Sequence, residues 1–344
     1  MPVKETEPAA DLNTGQGHGG GDAIVRRPRR PTAQKAWQFS DLVTCTSLAL
    51  LLPPAWLLPE RLWVPLTHAL IGRRGEKAIK RIAKSIRAAL GDRDEQQSQA
   101  IMRQLKAAIY ELRLQDLRSW RPGGWRPRMI LDGEEYLRHA LAGGKGAVLW
   151  IAPFVFNSGP TKIVLGEKGY RVSHLSSIKH GFSETKFGVS CLNRVRCTPE
   201  DRHLAERIVF DRNAPGTAMR RMMRALKAGE VVSILAVSTE GSDMVKTPVF
   251  GGTVPVAVGA PRLAALTGAP LLPVFAVRDP KLGFRVVVES PIVLASDQTS
   301  DERCVAATAE FLRRSEPWVR QYPEQWRAWS KWRGLGPRRR SNSA

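Results

Sequence analysis

A chain of 344 residues with 43% hydrophobic content can bury a sizeable core, which excludes disorder throughout. Its 53 Lys and Arg outnumber 32 Asp and Glu, for a formal net charge of +21. That excess calls for an anionic partner, whether nucleic acid, a lipid surface or a phosphorylated substrate. Cys45, Cys191, Cys197 and Cys304 lack paired metal-ligand spacing and disulfide density, so they argue for a reducing compartment and against a structural metal.

Residues 1–36 are rich in Gly, Pro and charge, end in a basic cluster and read as a disordered tail. A second region, 37–125, opens with the uncharged run LVTCTSLALLLPPAWLL (42–58), broken by Pro53 and Pro54 and accompanied by Trp37, Trp56 and Trp63. A span needs about 20 apolar residues, and a proline pair removes backbone donors. The preferred expectation is therefore a re-entrant or interfacial membrane element; a core helix pair, a true span and a cleaved signal peptide remain open. Ile79, Ile82, Ile86 and Leu90, then Ile101, Leu105, Ile109 and Leu112, repeat at helical spacing with a basic polar face between them. Such helices are either simply solvated or lie on anionic lipid headgroups. RPGGWRP (121–127) is turn-rich and reads as a linker.

From Met129 strands and helices alternate through 126–333, and 334–344 is a basic tail. Strands are expected at 147–152, 171–175, 206–210, 231–237, 271–277 and 284–289, with helices near 134–141, 159–168, 216–227, 256–267 and 302–320. This order predicts an α/β fold, a mostly parallel sheet flanked by helices. GAVLWIAPFVFNS (146–158) holds its centre: a strand buried on both faces, then a loop where chemistry tends to sit in open sheets. That loop contains no His, Asp, Glu, Cys, Lys or Arg from Ala152 to Thr161.

Five segments carry a family resemblance: the apolar N-terminus with its basic helices, DGEEYLRHALAGGKGAVLWIA (132–152), ALKAGEVVSILAV (225–237), TPVFGGTVPVAVGAPRLAALTGAPLLPVFAVRD (247–279) and YPEQWRAWSKWRG (322–334). In order and spacing the chain resembles the bacterial lipid A biosynthesis lauroyl/myristoyl acyltransferases of the lysophospholipid acyltransferase superfamily. The resemblance implies a glycerolipid-acyltransferase-like fold with N-terminal membrane-associated helices. It also implies acyl transfer from acyl carrier protein or acyl-CoA to a lipid or glycolipid acceptor at the cytoplasmic face of the inner membrane, without a metal or cofactor. The family's His-x-x-x-x-Asp/Glu pairs a base that takes the acceptor's proton with a carboxylate that orients the imidazole. Here Pro153 and Ser158 stand at those positions, and no His occurs between His139 and His174.

The replacement base expected from sequence is His180 in HGFSETKFG (180–188), with Glu184 one helical turn on if the segment is helical. A plain structural histidine is the competing reading. His174 reads as a core residue and His203 as surface helix. STEGSD (238–243) resembles the superfamily's acceptor-phosphate block, which makes Glu240 and Gly241 candidate binding residues beside Asn157. Arg262 and Arg278 are candidate anion clamps, though any single arginine is more often a solvated charge. Two functions stay open: an acyltransferase with a displaced base, and a catalytically inactive relative that binds lipid or acyl chains as a partner protein. The basic residues accompany apolar helices and Trp, not a nucleic-acid reading motif, which argues against nucleic acid.

Overall fold

A computed structural model describes residue 24 and residues 35–71, 75–157, 159–177, 180–211, 214–237 and 243–334. The expectations for most of 1–36, for the basic tail beyond Gly334, and for Ser158, Glu240 and Gly241 lie outside the described residues.

The N-terminal layer is four helices, α1 (Phe39–Leu57), α2 (Trp63–Ile71), α3 (Glu76–Leu90) and α4 (Glu95–Arg118). Against the expectation of an interruption, α1 runs unbroken through Pro53 and Pro54. The long helix α4 holds its end: Trp56 Nε1 donates to the Leu117 carbonyl at 2.9 Å, and the Arg118 guanidinium donates to the carbonyls of Ala55 and Leu58. A cation at a helix C-terminus both caps its orphan carbonyls and complements its dipole. Among the described residues, α1 is the one helix long and apolar enough to cross a membrane by length and composition, and only 22% of that window is buried. Leu42, Val43, Leu50 and Leu57 stay exposed.

The α/β part follows as β1 (Met129–Asp132), α5 (Glu134–Ala142), β2 (Ala147–Ile151), α6 (Gly159–Glu167), β3 (Val172–Ser177), α7 (Arg194–Asp201), β4 (Glu206–Phe210), α8 (Pro215–Lys227) and β5 (Val231–Leu235). It continues with β6 (Met244–Val249), β7 (Gly252–Ala257), α9 (Gly259–Thr267), β8 (Leu271–Asp279), β9 (Gly283–Val288), α10 (Ser300–Gln321) and the short β10 (Arg333–Gly334). Seven strands form one sheet in the order β1-β9-β8-β2-β5-β3-β4, parallel at every pairing except β8 with β9. Parallel neighbours need helical crossovers, which cover both faces and leave the central β2 buried and apolar along its length. The fold class is therefore the expected one.

Strand β2 is fully buried along its length, between β5 and β8. Gly146 opens it at φ +65°, where a Cβ would stand 2.5 Å from the Glu230 carbonyl, so only glycine lets β2 enter beside β5. The stretch between the strand expected at 231–237 and the helix expected near 256–267, to which no strand was assigned, holds the hairpin β6–β7, turning at Phe250 and Gly251, both with positive φ. With β10 it makes a small antiparallel sheet.

Candidate active site

Strands β2, β3, β4 and β5 end side by side, and a cavity of about 870 Å³ opens where they end. Ile151, Ser177, Phe210 and Leu235 reach it from those four strands. The C-terminal edge of a parallel sheet leaves backbone groups and loops free for a ligand, which is why sites collect there. Its walls are largely apolar, with Leu112, Val155, Ile163, Ala218, Met219 and Met222 among them.

The loop after β2 is apolar through its described residues up to Asn157. Pro153, Phe154, Val155 and Phe156 are buried, and the chain is zipped to the C-terminal segment: Arg327 N donates to the Pro153 carbonyl at 2.9 Å and Val155 N to that of Gln325 at 2.8 Å. Phe154 and Trp326 form a β-bridge. Asn157 faces the cavity and donates through Nδ2 to the Ala152 carbonyl at 3.2 Å, which fixes the turn into α6.

The charge lies one strand further along. His180, just past β3, faces the cavity, and its Nε2 is 2.8 Å from Glu200 Oε2 in the last turn of α7. Lys162 Nζ of α6 (2.5 Å) and Arg207 of β4 (2.8 Å) donate to the same oxygen. Burial pushes the Glu200 carboxyl up, but His180, Lys162 and Arg207 outweigh that and hold it well below the ordinary range. Glu200 is therefore a carboxylate, so Nε2 of His180 carries the hydrogen and Nδ1 keeps its lone pair. Burial lowers His180 to about 4 despite Glu200, so the ring is neutral at pH 7. His174 lies alongside, its ring centroid 6.2 Å from that of His180 and its Nδ1 2.8 Å from Ser233 Oγ, and burial depresses it further.

The carboxylate for His180 thus differs from the one expected. Residues 180–184 are not helical, because Gly181 takes φ +133°, and Glu184 is exposed. Glu200, twenty residues on, takes its place. Lys162 and Glu200 both escaped sequence reasoning. The signals were a lone lysine in the otherwise apolar GPTKIVLGE and an acid beside Pro199 in a stretch read as surface helix. The proposed clamps are engaged elsewhere. Arg262 pairs with Asp243 at 2.6 Å and Asp301 at 3.4 Å, and Arg278 pairs with the buried Glu111; neither lines the cavity. The arginines that do line it include Arg121, Arg126, Arg202 and Arg327, none of them in an ion pair among the described residues. RPGGWRP is accordingly part of the cavity rim as well as a connection. Trp125 anchors it through Nε1 to Glu60 at 3.0 Å and edge-on to Phe284.

No curated protein matches the chain. The matched family span begins at Arg196, past both Pro153 and His180, and takes in Glu200, the hairpin β6–β7 and the C-terminal Trp-rich segment. Residues 196–332 match the model described as bacterial lipid A biosynthesis acyltransferase, the family the sequence resembles.

Proposed function

We propose that the protein transfers a fatty acyl group from a thioester donor, acyl carrier protein or acyl-CoA, to a hydroxyl of a lipid or glycolipid acceptor, with His180 as base and Glu200 as the acid that orients it. The observation that carries this is the His180–Glu200 pair facing an apolar cavity at the carboxyl ends of the strands. A hydroxyl is a weak nucleophile until its proton has somewhere to go. Nδ1 of His180 takes that proton as the oxygen attacks the thioester carbonyl; the imidazolium that forms is stabilised by Glu200. Collapse of the tetrahedral intermediate breaks the C–S bond, and the imidazolium returns its proton to the departing thiolate. With its pKa lowered to about 4 by burial, the ring is unprotonated at neutral pH, so a lone pair is free to take the proton, and Glu200 offsets part of the cost of forming the imidazolium there.

The apolar walls suit an acyl chain, and the rim arginines Arg121, Arg126, Arg202 and Arg327 suit phosphate on donor or acceptor. The exposed apolar side of α1 and the basic α3 suit the cytoplasmic face of the inner membrane. The full chain, assayed in mixed micelles with a panel of acyl donors and glycolipid acceptors, is expected to form ester. His180→Ala should lower kcat about 10²- to 10⁴-fold, roughly 3 to 5 kcal/mol of transition-state stabilisation. Turnover indifferent to that change removes His180 from the mechanism. Saturable acyl-chain binding without turnover across the whole panel selects the second reading, an inactive partner protein, which the apolar filling of the β2 loop favours.

A further inference from the structure

Asp41 is an unusual residue for its helix. It is the third residue of α1, on an apolar helix, yet it is only 2% exposed and, among the described residues, has no cation as a hydrogen-bond partner. A carboxylate in the first turn ordinarily faces water and caps its own helix. This one does cap, accepting from Gln38 N at 3.0 Å, but it also accepts from Ser183 Oγ at 2.6 Å and Thr185 Oγ1 at 2.7 Å, more than 140 residues away. Burial raises its pKa, and the hydrogen bonds from Ser183, Thr185 and Gln38 more than reverse this, so it stays ionised. Ionised acceptors make the stronger hydrogen bonds.

Those hydroxyls belong to the segment that begins at His180. The backbone next to α1 pairs with it too, Lys186 N donating to the Lys35 carbonyl at 2.9 Å and Phe187 N to that of Ala36 at 3.0 Å. On its other side the buried Asn193 accepts from Phe182 N (2.7 Å) and Ser183 N (3.0 Å) and donates to the Ser183 carbonyl (2.7 Å). Asn193 leads into α7, which carries Glu200. The segment 181–188 has no regular helix or strand before its last residues, and side chains hold it from two sides, Asp41 from α1 and Asn193 at the start of α7. Asn193 ties it to the carboxylate of the pair. Asp41 ties it to the N-terminal layer.

We propose that Asp41 is a positioning residue for His180: through Ser183 and Thr185 it makes α1 a structural arm of the active site. This rests on His180 being the base, and the test separates the two. Asp41→Asn removes one acceptor oxygen; the double change Ser183→Ala with Thr185→Ala removes the donors and leaves α1 untouched, which keeps the test alive if the first variant does not fold. In either folded variant the amides of Ser183 and Gly188 should exchange at least about tenfold faster. The His180 imidazole, followed by NMR, should titrate upward from about 4 toward its ordinary 6.5 as water enters, with Glu200, Lys162, Arg196 and His174 still facing it. For the enzyme, kcat should fall about tenfold or more with KM little changed, and Thr185→Ser should behave as wild type. Unchanged exchange and an unchanged His180 titration in a folded variant overturn the proposal. If the wild-type chain turns nothing over, the functional reading fails, while exchange and titration still decide the role of Asp41.

Discussion

Two neighbouring strand ends do opposite things in this protein. Behind β2 the chain carries Pro153, Phe154, Val155 and Phe156 into the core and seals them under the C-terminal segment, by two backbone hydrogen bonds and the Phe154–Trp326 bridge. Behind β3 it carries His180 to a carboxylate on which a lysine and an arginine also converge. Both ends border one cavity, through Val155 and Asn157 on one side and His180 on the other. On the proposed reading the site has moved within the fold: the cavity lies at the sheet edge, and more than one strand end reaches it.

The comparison breaks most visibly at Glu200. Glu200→Gln removes the negative charge shared by His180, Lys162 and Arg207, and should destabilise the fold by about 3 kcal/mol, since leaving buried cations without their counter-charge is costly. Urea denaturation measures it, and adding Lys162→Met should recover part of the loss. A Glu200→Gln protein as stable as wild type would mean that the cluster is wet and the pair loosely held.

Acid tests the same cluster from another side. His180 titrates at about 4 when folded against an ordinary 6.5, so between those values the unfolded chain binds more protons and stability rises with pH. Its contribution is complete above pH 6.5 and is lost as pH falls to about 4; a shift of this size amounts to roughly 3 kcal/mol. Glu200, held below its ordinary range, adds loss of the same sign at lower pH still. Denaturation midpoints compared at pH 7 and pH 4.5 should show the drop, and His180→Ala should lessen it, the remainder coming from His174, which burial also holds well below its ordinary range. A drop of the same size in wild type and in His180→Ala would place His180 in water.

Smaller effects are expected at the rim and at the β2 loop. Arg327→Ala or Arg126→Ala should raise KM for a phosphorylated acceptor about tenfold with kcat little changed, the worth of one charge-assisted contact, and the rise should shrink in high salt. Equal loss with an unphosphorylated acceptor would assign these arginines to the donor. Pro153→Ala should be the mildest: turnover within about twofold and stability lowered by about 1 kcal/mol through the lost methylenes. A large fall in kcat there would return the chemistry to the β2 loop.

The apolar strands and helices of the α/β part were legible because burial on both faces of a parallel sheet leaves unbroken runs such as AVLWI and VVSIL. The β6–β7 hairpin was hidden because a proline stands in each of its strands, Pro248 and Pro255, and a proline argues against a strand by sequence. Helix α7 was not legible: RVRCTPED has no apolar period, and the ion pairs of Arg196 with Asp116 and of Glu200 with Lys162 fasten it to distant elements. His180 stood out as a histidine with an acid four residues on, yet that acid, Glu184, is not its partner, because Gly181 prevents the helix that would bring them together.

By itself the amino-acid order determined the layered α/β class, the position of β2 at its centre and the want of a base behind that strand, because periodicity and residue type are local properties of the chain. Only the tertiary structure decided that Glu200 meets His180, that Lys162 is buried against it, that RPGGWRP borders the cavity and that Asp41 grips the His180 segment. Each of these is an electrostatic or hydrogen-bonded contact between residues far apart in sequence. What makes such a contact strong is the burial that the assembled layers supply, and burial is not written at any one position.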